Sequence, residues 1–528
     1  MKQITKRVLL AGLLSALLCL QTFAAAPFAG YEYSTDNYNG LIVSEKDMAN
    51  AKPAPSAFVY EKALNSTALG LETPMNTPED MVCDEKGNVY ILDTLNGRIV
   101  VVDPQRGQVL CLLTGWQSPD GTVATFEGGR GMCYREGTLY VCLTAAQKIV
   151  AAPVPAFSET REPDAAIPEL TPVASRVVES PDLSAIRDNF EFKPAKVAVD
   201  RSERLYVVVE GVFDGLMTID SDNSFAGFVG ANRIQISALD LLWRALSTDA
   251  QIAAQQDTVP IEFNNLAIDE DGFLYTTAKG NESENLIRRL NLIGNDVLER
   301  GTAYMKGELS PLVKKGNPGA PSNLVDIAVA GNGIYSCLDN IRGRIFTYNG
   351  EGDLLFVFGG ISAQKGAFQV PAALEWCGGR LLVLDKGNNE LVVFRPTAYG
   401  EAVLKATATQ FNGGYGESWE EWREVIAMNP QNQTAHRNVG KLLYDQGDYA
   451  GAMTHFQLGN SPNLYSKAFA KYRNIQAEKI VPWAAAGLAA VLLVVLAIQL
   501  VRFAKRSRQR WEFFREEARR YRERNRKN

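Results

Sequence analysis

The 528-residue sequence predicts a mainly β fold: a six-bladed β-propeller, then a small α-helical segment and one transmembrane helix. Three observations carry that prediction. A hairpin pattern recurs six times through the middle of the chain. Between Trp419 and Tyr472 the periodicity turns helical. An apolar run over 481–503 then precedes a strongly basic C-terminus.

The hairpins occupy 81–91, 132–141, 197–207, 266–275, 327–336 and 374–383. Each reads as an apolar strand, a polar turn holding Asp, Gly or Asn, and a second apolar strand, usually with Tyr near its start. Further strands follow in several copies, as in Arg98-Ile99-Val100-Val101-Val102-Asp103 and Leu354-Leu355-Phe356-Val357-Phe358. Four antiparallel strands repeated radially make propeller blades, and six copies imply six blades. Either 57–62 or 402–405 is expected to complete the last blade. Two inserts break the period. Residues 153–181, rich in Pro and acidic groups, read as an exposed loop between blades 2 and 3. Residues 236–256, with Leu239, Leu242, Trp243 and Leu246 at helical spacing, read as a helix before blade 4.

The ends set topology. Lys2, Lys6 and Arg7, an apolar run over 8–20 and Ala24, Ala25 and Ala26 form a signal-peptide pattern over 1–26. The 481–503 run is long enough for a bilayer core at about 1.5 Å per residue. Trp483 sits at one interface and 12 Lys/Arg against 4 Asp/Glu follow from Arg502 onward. The positive-inside rule then makes 504–528 a cytoplasmic tail, with the N-terminal ectodomain outside a cell membrane crossed once. The chain carries −6; the tail contributes +8 and the signal +3, which leaves −17 on the ectodomain. Such an acidic ectodomain argues against nucleic acid as its ligand. Six of seven cysteines fall outside the signal, all within short apolar runs. They read mainly as buried thiols, with Cys133 and Cys142 the pair best placed for a bridge.

Catalytic signatures are scarce. The only histidines, His436 and His455, lie in the helical segment, which excludes a His-based triad, zinc site or general base on the propeller. No G-x-S-x-G, P-loop, CxxC or EF-hand pattern occurs, so no catalytic residue, metal ligand or cofactor site is assigned. The Asp269-Glu270-Asp271-Gly272 turn is acidic enough for calcium, although a hairpin turn accounts for the same residues. Candidate site residues come instead from convergence. The pairs just before each inner strand's first apolar residue are Glu79-Asp80, Arg130-Gly131, Ala195-Lys196, Asn264-Asn265, Val325-Asp326 and Ala372-Ala373. They place Glu79, Asp80, Arg130, Lys196, Asn264, Asn265 and Asp326 at one channel mouth. There they can bind a polar, sugar-like or peptide ligand, or simply solvate a water-filled channel.

Asp93-Thr94-Leu95-Asn96-Gly97-Arg98-Ile99 closely resembles the D-T-x-N-x-R-I core of NHL repeats. Weaker copies begin at Asp339 and Asp385. The resemblance spans about 57–405 and implies an NHL-like propeller, in which the Asp and Arg tie a turn. Ala435, Val439-Gly440, Leu443-Tyr444, Gly447-Asp448-Tyr449, Ala452-Met453 and Phe456 resemble the tetratricopeptide pattern. That gives a helical segment over 417–479, a stalk or a protein-binding surface. The whole order resembles uncharacterised surface proteins of Gram-positive bacteria. It implies a binding or scaffold protein with a protein partner, an accessory or sensor of a membrane transport system such as a sugar-type ABC transporter. The alternative is a calcium-dependent hydrolase or lyase, gluconolactonase-like, that uses the channel carboxylates.

Overall fold

The structure is a computed structural model that describes residues 54–162, 165–181, 190–230, 262–278, 286–298, 313–314, 317–318 and 322–525. The expected signal peptide and the 236–256 helix lie outside the described residues.

Six radial sheets form the propeller. Their inner strands are Pro78–Cys83, Gly129–Arg135, Pro194–Val199, Phe263–Ile268, Leu324–Gly331 and Pro371–Cys377, which open blades 1 to 6 in chain order. Each lies against the inner strands of the blades before and after it, and the last meets the first, so the ring is closed. Among the described residues blade 4 has three strands, and every other blade has at least four.

Two local devices repeat. In the first hairpin of blades 1, 3 and 4 an aspartate side chain caps its own turn. Asp84 Oδ1 accepts from the amides of Lys86 (3.0 Å) and Asn88 (2.8 Å), and Oδ2 accepts from the Tyr90 hydroxyl (3.3 Å). Asp200 and Asp269 hold their turns in the same way. The second device sits after the second strand of blades 1, 5 and 6. Asp93, Asp339 and Asp385 are fully buried, and each accepts amides from the loop that leads into its own inner strand. Arg98 completes the first at 2.8 Å. Strand alternation then divides the core into inter-blade layers. Val89 and Ile91 pack toward Leu382 and Leu384 of blade 6, whereas Tyr90 and Leu92 pack toward Leu139 and Val141 of blade 2.

Phe58–Asn65 closes the ring as the outer strand of blade 6, antiparallel to Glu390–Pro396. Residues 402–405, the other candidate, lie in a helix. A disulfide between Cys83 and Cys377, 294 residues apart, joins the inner strands of blades 1 and 6 at the same seam. Cys133 and Cys142, the pair favoured from sequence, are both free thiols, as are Cys111 and Cys337. The 153–181 insert is more than a loop. Glu169–Leu170 adds in parallel to Gln108–Leu113 of blade 1, and Arg176–Val178 supplies the outer strand of blade 2.

Five helices follow: α1 Ala398–Phe411, α2 Tyr415–Met428, α3 Gln433–Asp445, α4 Tyr449–Leu458 and α5 Pro462–Asn525. Thr397 caps α1 and donates to Ser56 O. Gly400 permits the docking, since a Cβ there would meet Ala57 O at 2.1 Å. Tyr399, Val403, Trp422, Val425 and Val439 share one core with Phe58, Leu374 and Phe394 of the propeller. Arg437 pairs with Asp353 (2.8 Å) and Lys441 with Glu351 (2.7 Å), both on an outer turn of blade 5. The first three helices are therefore built onto blades 5 and 6. Helix α5 runs about 96 Å at 1.5 Å per residue. It is the one helix among the described residues long and apolar enough to cross a membrane.

Phe58 and Leu64 face opposite layers of blade 6, so their losses should add. Phe58→Ala is expected to cost about 3–5 kcal/mol and Leu64→Ala about 2–5 kcal/mol. Urea unfolding of the two single variants and the double variant measures both costs and their sum.

Candidate ligand-binding channel

Every inner strand carries a register shift at one level. It lies between Pro78 and Asp80, Gly129 and Gly131, Pro194 and Lys196, Phe263 and Asn265, Leu324 and Asp326, and Pro371 and Ala373. The extra residue bends the strand and re-aims the side chain that follows. At that level the inner strands carry Asp80, Gly131, Lys196, Asn265, Asp326 and Ala373, one per blade, and Ala373 packs into the layer between blades 6 and 1. Two residues on, Val82, Cys133, Ala198, Ala267 and Glu375 line the cavity, while Ala328 packs into the core between blades 5 and 6.

The first level is a cross-braced polar ring. Lys196 Nζ reaches from blade 3 to Asp80 Oδ1 of blade 1 at 2.9 Å, passing blade 2. Gly131 makes that passage possible. A Cβ there would lie 2.2 Å from Ala195 O and 2.9 Å from Lys196 Cα. Asp80 Oδ2 accepts from the Met132 amide at 2.7 Å, which ties blade 1 to blade 2. Asp326 Oδ2 accepts from the Leu374 amide at 2.6 Å, which ties blade 5 to blade 6, and Asp326 Oδ1 accepts from Ile327 N and Asn265 Nδ2. Asn265 is oriented in turn by the Leu266 amide, which donates to Oδ1 at 2.6 Å.

Burial sets the charges. It pushes the Asp80 carboxyl up, against the pull of Lys196. Burial would lower the Lys196 ammonium, but Asp80 and Asp326 outweigh it and hold the ammonium above its usual range. With that one cation already engaged, Asp326 is pushed by burial up to about 7. Glu375 is pushed by burial and the nearby Asp326 and Asp80 up to about 8. The ring and Glu375 thus set three carboxyls against one ammonium, and near neutral pH protons on Asp326 and Glu375 relieve part of the imbalance.

From this ring a cavity of about 240 Å³ extends toward the C-terminal ends of the inner strands. Asp80, Asn265, Asp326 and Glu375 floor it, and Tyr134, Arg135, Val199, Ile268 and Val329 lie further along its wall. Arg135 is held by a bond to Val199 O at 3.1 Å. Of the sequence candidates, Asp80, Lys196, Asn265 and Asp326 meet in the ring, but Glu79, Arg130 and Asn264 do not line the cavity. They are the extra residues of the bulges, and their side chains are engaged away from the ring. Glu79 pairs with Lys386 (3.3 Å) and Arg130 with Glu210, while Asn264 donates to Leu324 O (2.8 Å). Sequence reasoning missed Glu375. Its signal was a single carboxylate inside the otherwise apolar inner strand of blade 6. The acidic turn at Asp269 is structural: the carboxylate caps its own hairpin and pairs with Arg289 at 3.4 Å. No group of three or more His, Cys, Asp or Glu suited to a metal ion occurs among the described residues.

No protein-family model matches the chain, and no curated protein sequence matches it. Solved structures of similar shape include a streptogramin B lyase, at 11% identity and TM-score 0.35, over 65% of this chain and 98% of that one. A virginiamycin B lyase from Staphylococcus aureus follows at 12% identity and TM-score 0.34, over 65% of this chain and 89% of that one. The extracellular domain of a putative hybrid two-component system from B. thetaiotaomicron matches at 10% identity and TM-score 0.33, over 64% of this chain and 42% of that one. Likeness at this level says nothing about chemistry.

Glu375 and Asp326 bind protons more tightly folded than unfolded. The stability they lend is complete below the unfolded carboxylate range, about pH 4. It is lost as pH rises through about 7 and then about 8. Glu375→Gln should therefore flatten the fall in melting temperature between these limits and raise it at the alkaline end. Lys196→Met leaves Asp80 buried without its cation and should cost about 3–5 kcal/mol in urea unfolding near neutral pH.

Proposed function

We propose that the chain is a membrane-anchored extracytoplasmic binding protein, whose propeller takes a small polar ligand into its channel. The cavity carries this reading. It offers about 240 Å³ of space above a floor of fixed carboxyl and amide groups contributed by different blades, braced from behind by the Lys196 ammonium. Convergent polar groups in a concavity are what a small ligand needs for orientation. The floor favours ligands rich in hydroxyl or amine groups, because a carboxyl oxygen accepts from such groups and Glu375, pushed up to about 8, can also donate.

Placement outside the cytoplasm is supported by two independent features. The Cys83–Cys377 disulfide suits an oxidising compartment, and the basic block after residue 503 suits the cytoplasmic side. The NHL-type reading is supported by the shared role of Asp93, Asp339 and Asp385 in tying one turn. The tetratricopeptide-like reading is supported by Gly440, where a Cβ would meet the Phe456 ring at 2.7 Å, so that α3 and α4 cross closely. A role as accessory to a membrane transporter fits a ligand-binding head fixed beside a single membrane helix. The calcium-dependent hydrolase or lyase is the lesser reading. Lys196 already places a cation between Asp80 and Asp326, where a calcium ion would have to sit.

The test uses the full chain in nanodiscs with a panel of monosaccharides, amino sugars and dipeptides, and separately with calcium. At least one organic class should raise the melting temperature of the wild type and leave Glu375→Ala unmoved. A calcium response lost on Asp326→Ala would favour the enzyme, and no response to any organic class would sink the binding reading.

A further inference from the structure

We propose that the C-terminal turns of α5 form a docking seam for an acidic amphipathic helix of a partner protein. Ala504, Ser507, Trp511, Phe514, Ala518 and Tyr521 recur alternately three and four residues apart. On a helix that spacing makes one narrow stripe, the a/d seam of a coiled coil. The stripe has no cover. Trp511 is 68% exposed, Phe514 64% and Tyr521 69%. Basic residues that only set membrane orientation need no aromatic row among them, and exposed Trp, Tyr and Arg together are the residue types that anchor interfaces.

The charges beside the seam choose the occupant. Arg508, Arg510, Arg515 and Arg522 fall at the flanking e and g positions, against one carboxylate, Glu517. Flanking charges set partner choice in coiled coils. A second copy in parallel would bring Arg510 against Arg515, so self-pairing is disfavoured. A helix with glutamates at its own flanking positions would meet an arginine at nearly every step. A lipid surface fits less well. Helix α5 is continuous through the apolar run, so the stripe climbs away from the bilayer for about 30 Å. The field of an anionic surface fades within about 8–10 Å.

The test uses the full chain in phosphatidylcholine nanodiscs and a fluorescent three-heptad helix with leucine at a and d and glutamate at e and g. Anisotropy should show binding that weakens at least about tenfold, or 1.4 kcal/mol, when Trp511→Ser and Phe514→Ser are combined. The same helix with lysine at e and g should not bind. Adding the glutamate helix should shift tryptophan fluorescence to the blue in the wild-type chain and not in Trp511→Phe, which isolates the Trp511 contribution among the seven tryptophans. Three results overturn the proposal: equal binding of the two helices, a Trp511 shift only in discs containing anionic lipid, or crosslinking of two copies along the seam.

Discussion

Ring closure is the constraint on which the rest depends. A radial array of sheets is stable only if its last blade meets its first, because every inter-blade layer needs two walls. Here the seam is fastened three ways. Phe58–Asn65 completes blade 6 from the N-terminal side, Cys83 and Cys377 bridge the inner strands, and α1 is anchored to the start of the closing strand through Thr397 and Gly400. The third fastening makes the helical region part of the ring's architecture. Trp422 and Val439 share a core with Phe58, so the first three helices are held in one orientation on the propeller.

Closure also creates the electrostatic problem that defines the channel. Six strands brought to a narrow axis present whatever follows their bulges to one another in a space with little water. This chain places two aspartates, one lysine and one asparagine at that level and a glutamate one level on. The asparagine and backbone amides absorb part of the negative potential, and Lys196 absorbs more by crossing above Gly131. What remains is met by protons on Asp326 and Glu375. A ligand that donates hydrogen bonds or carries a positive group would take over that role, as the proposed binding function requires.

Much of the fold was legible because its signals are local. Asp84, Asp200 and Asp269 advertise hairpins through turn chemistry, and Asp93 with Arg98 advertises the next turn. The channel was half legible. The pairs at the starts of the inner strands marked the right level, yet of the residues named there only Asp80, Asn265 and Asp326 line the cavity, while Glu79 and Asn264, the extra residues of their bulges, are engaged elsewhere. Glu375 escaped notice because convergence was sought at one level only. The seam disulfide was out of reach for a different reason. Cys83 and Cys377 are 294 residues apart, and only the closed ring brings them together, whereas Cys133 and Cys142 are close in sequence. The insert after blade 2 misled in the same way, since Arg176–Val178 finds its strand partner only once Lys148–Pro153 is in place.

The most direct test is peptide mapping of the disulfide in chain purified from intact cells whose thiols were blocked before lysis. A single linked pair, Cys83 with Cys377, and blocked thiols at Cys111, Cys133, Cys142 and Cys337 would be the signature of a closed ring in an oxidising compartment. Linkage of Cys133 to Cys142, or six blocked thiols, would contradict both the seam and the placement of the propeller outside the cytoplasm.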